Sequence, residues 1–194
     1  MTTLKDLTSD NHKRAEESWF AKELLSGEID PLLYYVYIYN QSYNYDILEQ
    51  KIPLEMLGIG NIARYDRIRA DMEELENEYG IKLKSSDILL KSTVDYTRHI
   101  MQLESVNPRG ILAHLYVRHF GDMFGGAIVA KRTPGKGRMY EFENKTDMIA
   151  RVRALLELNM ADEANTCFDF AIRLFEDLEE WWYEFSLGNT TKTE

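Results

Sequence analysis

The chain has 194 residues, a formal net charge of −10 and a lone cysteine, Cys167. That length fits one domain, residues 1–194, able to bury its own core without disulfides, and a single cysteine offers none within the chain. The acidic balance excludes general nucleic-acid binding, which needs a basic face. The N-terminal MTTLKDLTSD lacks a signal-peptide core, no stretch is long enough to span a bilayer, and SLGNTTKTE is too polar for a tail anchor. The expectation is a cytoplasmic protein of a reducing compartment, without a membrane partner.

In chain order, helix signals dominate. A first helix is predicted over residues 3–17. DPLLYYVYIYNQSYNYDILEQKIP opens with Asp30 as cap and Pro31 at the first helical position, and ends before Pro53. Its tyrosines carry strand propensity, but the run is too long for a usual strand. GIGNIA at 58–63 matches the dinucleotide glycine pattern, with Glu78 at a suitable distance, yet no strand precedes it, so a loop is the better reading. The next stretch places Ile62, Tyr65, Ile68, Met72, Leu75 and Tyr79 on one face, with Gly80 as its stop.

A further helix is predicted over about 86–105, and another from Asn107 and Pro108 to about 132. RMYEF reads as a short extended piece. The last helix carries Phe168, Ile172, Phe175, Leu178 and Trp182 along one face and stops at Gly188, leaving a polar tail over 188–194. The sum is an all-α fold of six to eight helices.

The basic residues cluster locally. Lys131, Arg132, Lys136 and Arg138 follow the fifth long segment, and Arg151 and Arg153 lie further on. The first group reads either as a solvated loop or as a docking site for an anionic ligand or acidic partner.

RHFGDMFGGAIVAKR, residues 118–132, holds three glycines in an apolar helical run, where each costs about 1 kcal/mol relative to alanine. Gly121, Gly125 and Gly126, with Asp122 among them, imply a helix that bends over a flat ligand and sets one acid beside it. His12 and Glu16 are four apart, so one helix face presents an imidazole with a carboxylate able to hold its other nitrogen. His114 and His119, five apart, are poor co-ligands on one helix. His99 reads as structural, and Cys167 as a buried inert thiol. No Glu-x-x-His, Cys-x-x-Cys or His-Glu-x-x-His occurs.

ILAHLYVRHFGDMFGG, residues 111–126, resembles the distal-helix signature of the heme oxygenases. LKDLTSDNHKRAEE resembles their proximal helix and TCFDFAIRLFEDLEE their C-terminal helix. The resemblance implies a heme oxygenase-like domain with heme between a proximal helix and a kinked distal one. His12 would be the axial iron ligand, with Glu16 as its partner. Gly121 and Gly125 would let the distal helix approach the macrocycle, and Gly126 would continue a flexible turn. Asp122 would order the distal water, with Tyr45 and Arg118 in its hydrogen-bond network. Lys5 matches a basic residue near a propionate, while Arg151 and Arg153 are assigned to propionates on charge alone. Phe124 and Phe168 complete the expected heme contacts. The sequence departs from the family at Phe124, where serine is usual, at His119, where tyrosine is usual, and at Ala171, where the animal enzymes carry asparagine.

The implied activity is cleavage of heme b, both substrate and cofactor, to biliverdin with release of Fe(II) and CO. It consumes O2 and electrons, expected here from a ferredoxin docking near Lys131, Arg132, Lys136 and Arg138. The α-meso product and a monomer are expected. The rival readings are a non-catalytic heme or bilin carrier or sensor, and a helical protein acting on a non-heme cofactor.

Overall fold

A computed structural model describes residues 2–190 of the chain. Among these the secondary structure is helical, in ten α-helices and four short 3-10 turns. The count exceeds six to eight because two of the predicted helices are divided and two further ones, Trp19–Leu24 and Lys145–Leu155, form in stretches not read as helix. Residues 3–17 form α1 (Leu4–Leu7) and α2 (Ser9–Glu17), parted at Thr8, whose hydroxyl turns back to the Leu4 carbonyl at 3.0 Å. Ser18 caps α3 (Trp19–Leu24) through the Ala21 amide.

Asp30 caps α4 (Pro31–Lys51) by accepting from the Leu32 N–H at 2.8 Å. Next come α5 (Tyr65–Tyr79), which ends on Gly80 in the left-handed conformation, and α6 (Ser85–Ile88). A break at Leu89 and Leu90 precedes α7 (Lys91–Val106). After a 3-10 turn at Pro108–Gly110 the distal candidate, α8 (Ile111–Val129), runs without interruption. The remaining helices are α9 (Lys145–Leu155) and α10 (Ala161–Thr190).

Helix α4 is the centre of the molecule, packed on α5, α7, α8 and α10. Tyr34, Tyr35, Tyr37, Tyr39 and Tyr45 are all buried along it. Their strand preference is overridden because a helix covered on every side takes its stability from packing rather than propensity. Asn40 locks α4 to the α6–α7 junction by donating to the Val36 and Ile88 carbonyls at 2.8 Å and accepting from the Leu90 amide at 2.9 Å.

Three expectations are corrected. RMYEF is no extended piece: Arg138–Tyr140 form a 3-10 turn entered through left-handed Gly137. The buried Asp71 carboxylate on α5 accepts the Arg138 and Met139 amides at 3.0 and 2.9 Å, which folds this backbone inward. Gly188 does not stop α10, which continues to Thr190. This glycine is not among those with positive φ, so it weakens the helix without reversing it. Of the polar tail predicted over 188–194, residues 191–194 lie outside the described residues. Helix α9, finally, occupies a stretch that had been read only for its charge.

GIGNIA is a loop leading into a 3-10 turn, Gly60–Ile62, with no strand around it among the described residues. The buried Arg64 pins this loop, donating to the Ile62, Asn61 and Met139 carbonyls at 2.9, 2.8 and 3.3 Å. Its guanidinium also lies 3.9 Å above the Phe142 ring. No helix among the described residues is long and apolar enough to cross a membrane.

Candidate heme site

Helices α2 and α8 both pack against α10, and the Thr8 hydroxyl meets Tyr116 where the two approach each other. Side chains tie α2 down: Asn11 donates to the Asn165 carbonyl at 3.3 Å, Arg14 pairs with Asp169 at 3.4 Å, and Asn165 donates to the Leu7 carbonyl at 3.1 Å. His12 is thereby held with its ring edge-on to Phe168, centroids 5.6 Å apart. Its Nδ1 is 3.5 Å from Glu16 Oε2, and its side chain is 54% exposed, so the other nitrogen is accessible to a ligand. The expected His12–Glu16 pairing is present, and Phe168, expected as a heme contact, lies against the His12 ring.

On α8 the glycines part company. A Cβ at Gly121 or Gly125 would meet nothing within 4 Å, so both present bare backbone to open space. Phe124, 60% exposed, stands between them in sequence and edges against Phe120. At Gly126 a Cβ would lie 2.7 Å from Tyr140 Cδ1. Gly126 therefore serves close packing against the Arg138–Tyr140 turn, and its assignment as a flexible heme-contacting turn is corrected.

Asp122 sits beside the glycine face. The buried Tyr45 hydroxyl, reaching across from α4, donates to Asp122 Oδ2. Burial pushes the Asp122 carboxyl up to about 6 against the opposing pull of the Tyr45 hydrogen bond, Arg64 and Arg118. Arg118 donates to Gln41 Oε1 at 3.0 Å and lies 4.1 Å above the Tyr96 ring. Gln41 in turn donates to the Tyr37 hydroxyl at 2.9 Å. Tyr96, Gln41 and Tyr37 extend the network beyond the residues that the sequence singled out. Their spacing on α4 and α7 reads as core, so nothing local marks them.

His119 packs edge-on to Tyr45, centroids 4.9 Å apart, and its Nδ1 donates to the Leu115 carbonyl at 3.2 Å. Burial, reinforced by Arg64, pushes its pKa down to about 3, so the imidazole is neutral. Its buried Nε2 has no hydrogen-bond partner. A lone pair thus stands where the family usually places a phenol.

The basic residues divide. Arg153 lies 5.9 Å from the Phe120 ring centroid, near Tyr116, at the edge of the glycine face. Arg151 turns elsewhere: its Nε is 2.7 Å from Asp147, and its guanidinium covers Gly58. The propionate assignment of Arg151 is therefore corrected, because alternate residues on a helix point in different directions. Lys145, which sequence reasoning passed over, reaches α8 by donating to the Met123 carbonyl at 3.1 Å. Lys5 is exposed on α1. In the basic loop Lys131, Arg132 and Lys136 are exposed, but Arg138 is committed to Asp71 at 3.0 Å and to Glu74. Arg138 accordingly drops out of the expected docking patch.

An accessible imidazole on α2 and a bare glycine face on α8, with a half-buried acid held by a buried phenol beside the latter, mark the candidate site of an all-α protein. Residues 1–177 match the model of the heme oxygenase family, and the chain belongs to that family. It is 24% identical to heme oxygenase 1 of Nostoc sp., over 89% of this chain and 82% of that relative. It is 26% identical to heme oxygenase 2 of Macaca fascicularis, over 91% of this chain but only 64% of that relative, just under two thirds of its length. Among solved structures, heme oxygenase-1 of Synechocystis sp. in complex with heme superposes with a TM-score of 0.78 over 98% of this chain and 97% of that one, at 19% identity. The heme oxygenase of Leptospira interrogans gives 0.74 over 89% and 96%, at 23% identity. At these identities the structural likeness speaks for the fold.

Proposed function

We propose that the protein is a heme oxygenase that opens heme b to biliverdin, at the α-meso carbon, with release of Fe(II) and CO. The observation that carries this reading is the pair of unfilled glycines beside an acid whose carboxyl is raised to about 6, set with an accessible histidine in one molecule. Bound heme supplies both the iron that activates O2 and the macrocycle that is consumed. The residues present fit it: the open backbone at Gly121 and Gly125 would otherwise be an unexplained weakness in α8.

His12 would hold the heme iron through Nε2, while Glu16, 3.5 Å from Nδ1, fixes the tautomer and the ring plane. Phe168 buttresses that ring. Without Cβ atoms, Gly121 and Gly125 bring their backbone against the distal side, where a bulkier residue would exclude the ligand. Asp122, its carboxyl raised to about 6, exchanges a proton close to neutral pH and takes part, with Tyr45, in delivering it through an ordered water. Arg118 fixes the network through Gln41 and Tyr96, and Arg153 and Lys5 face the propionates.

The electron donor is a ferredoxin-like acidic protein docking at Lys131, Arg132 and Lys136, a local cationic patch on an acidic molecule. We place the protein, as a monomer, in the cytoplasm. Charge reversal of Lys131 and Lys136 lowers ferredoxin-driven turnover and spares ascorbate-driven turnover; equal losses in both would remove the docking assignment. The activity itself is tested by adding one equivalent of heme, then ascorbate and an iron chelator in air, with His12→Ala in parallel. Loss of the Soret band and growth of a biliverdin band in the wild type alone support the reading. A stable Soret band identifies a heme carrier instead.

A further inference from the structure

Away from the glycine face, three helices bring a second set of donor atoms together. His99 Nε2 of α7 and His114 Nε2 of α8 lie 2.6 and 2.8 Å from the same oxygen, Oε1 of Glu163 on α10. The three ligand atoms all fall within 4.8 Å of one another. Aromatic rings wall them in: Tyr96 lies 5.4 Å from the His114 ring and Phe170 lies 5.2 Å from that of His99. His114 is fully buried, whereas the His99 and Glu163 side chains are 27% and 19% exposed, so the cluster opens to solvent on one side.

An ordinary ion pair leaves features of this cluster unexplained. Two imidazole nitrogens converge on a single carboxylate oxygen, and the buried Cys167 thiol lies against the His114 ring. One carboxylate neutralises one imidazolium, so a second donor at the same oxygen brings hydrogen bonding but no further charge balance. Two imidazoles and a carboxylate are, however, a familiar donor set for zinc and its first-row neighbours.

A tetrahedral ion about 2.0–2.1 Å from each donor would separate the donors by about 3.3 Å. The two short contacts would need to open by about 0.7 and 0.5 Å, a shift that the partly exposed His99 and Glu163 side chains can make. The solvent-facing side leaves room for water as the fourth ligand, and binding would displace protons from the imidazoles.

We propose that His99, His114 and Glu163 form a second, non-heme site for a divalent first-row cation of the zinc type. This site is independent of the heme reading. Occupied, it clamps α7, α8 and α10 together two helical turns from Asp122 on the same α8, so it would stiffen the helix that carries the distal acid.

The test titrates the heme-free full-length protein with Co2+ and reads the visible d–d absorption, then adds Zn2+. In the wild type the bands saturate at one equivalent and Zn2+ bleaches them. His99→Gln and Glu163→Gln weaken binding by at least about tenfold. His12→Ala binds as the wild type does, which separates this cluster from the His12–Glu16 pair. Far-UV circular dichroism checks folding; should Glu163→Gln unfold, the partly exposed His99 provides the deciding variant. Absence of saturable bands, bands that Zn2+ leaves in place, or undiminished affinity in a folded His99→Gln would overturn the proposal.

Discussion

Asp122 is stabilised as an acid by the same burial that makes its anion costly. Its folded pKa of about 6 exceeds the ordinary 3.8, so the native state binds the proton more tightly than the unfolded chain does. Its contribution to stability is therefore full below about pH 4 and declines as pH rises toward 6. Above that the loss is constant, on the order of 3 kcal/mol. Asp122→Asn should raise the thermal midpoint at pH 8 and hardly change it at pH 4, while lowering turnover by roughly 100-fold or more. A midpoint shift equal at both pH values would assign the effect to packing rather than charge. Much of this site was legible: His12, Glu16, Asp122, Tyr45 and Arg118 all follow from a signature and a spacing. What escaped notice depends on meetings between helices. His114 and His99 are unremarkable within their own segments, and only the crossing of α7, α8 and α10 sets both against Glu163.

Three glycines in one helix need not share one purpose. At Gly121 and Gly125 the space beside the backbone is empty, whereas at Gly126 it is taken by Tyr140. Gly121→Ala and Gly125→Ala should each stabilise the heme-free protein by about 1 kcal/mol through helix propensity while weakening heme binding. Gly126→Ala should destabilise it by roughly 1–3 kcal/mol, because the added methyl group meets the buried ring. Heme-free denaturation curves check the sign at each position; stabilisation by Gly126→Ala would refute its packing role. The sequence pattern marks all three alike, since a glycine code carries no direction. Helix existence was similarly legible in α4 and α8, from a capping residue followed by proline and from length, and in α5 and α10, from periodicity. Boundaries were less so, because Thr8 and the Leu89–Leu90 break depend on hydrogen bonds and tertiary contacts that no periodicity reports. Helix α9 escaped notice since its apolar residues do not fall on one face and only Met148 and Val152 are buried.

At the scale of the whole molecule, the all-α architecture was readable from the chain, and the central position of α4 was not. A helix of tyrosines gives no amphipathic stripe, and its role is settled by what surrounds it. The same ambiguity applied to charge: the basic loop is exposed at Lys131 and Lys136 but internally neutralised at Arg138 by acids of α5 that are remote in sequence.

The exposed Phe124 and Ile128 and the bare glycines of α8 leave an apolar face open to solvent among the described residues, so heme would be the last piece of the core to arrive. Ligand present at 100 times its dissociation constant would add about 2.7 kcal/mol of stability, withdrawn again when the opened product leaves. Protease resistance should rise with one equivalent of heme and fall as turnover proceeds; digestion at the same rate throughout would contradict this. The lifetime of the catalyst would then be set by the supply of what it destroys, giving a cell an enzyme whose abundance follows its own workload.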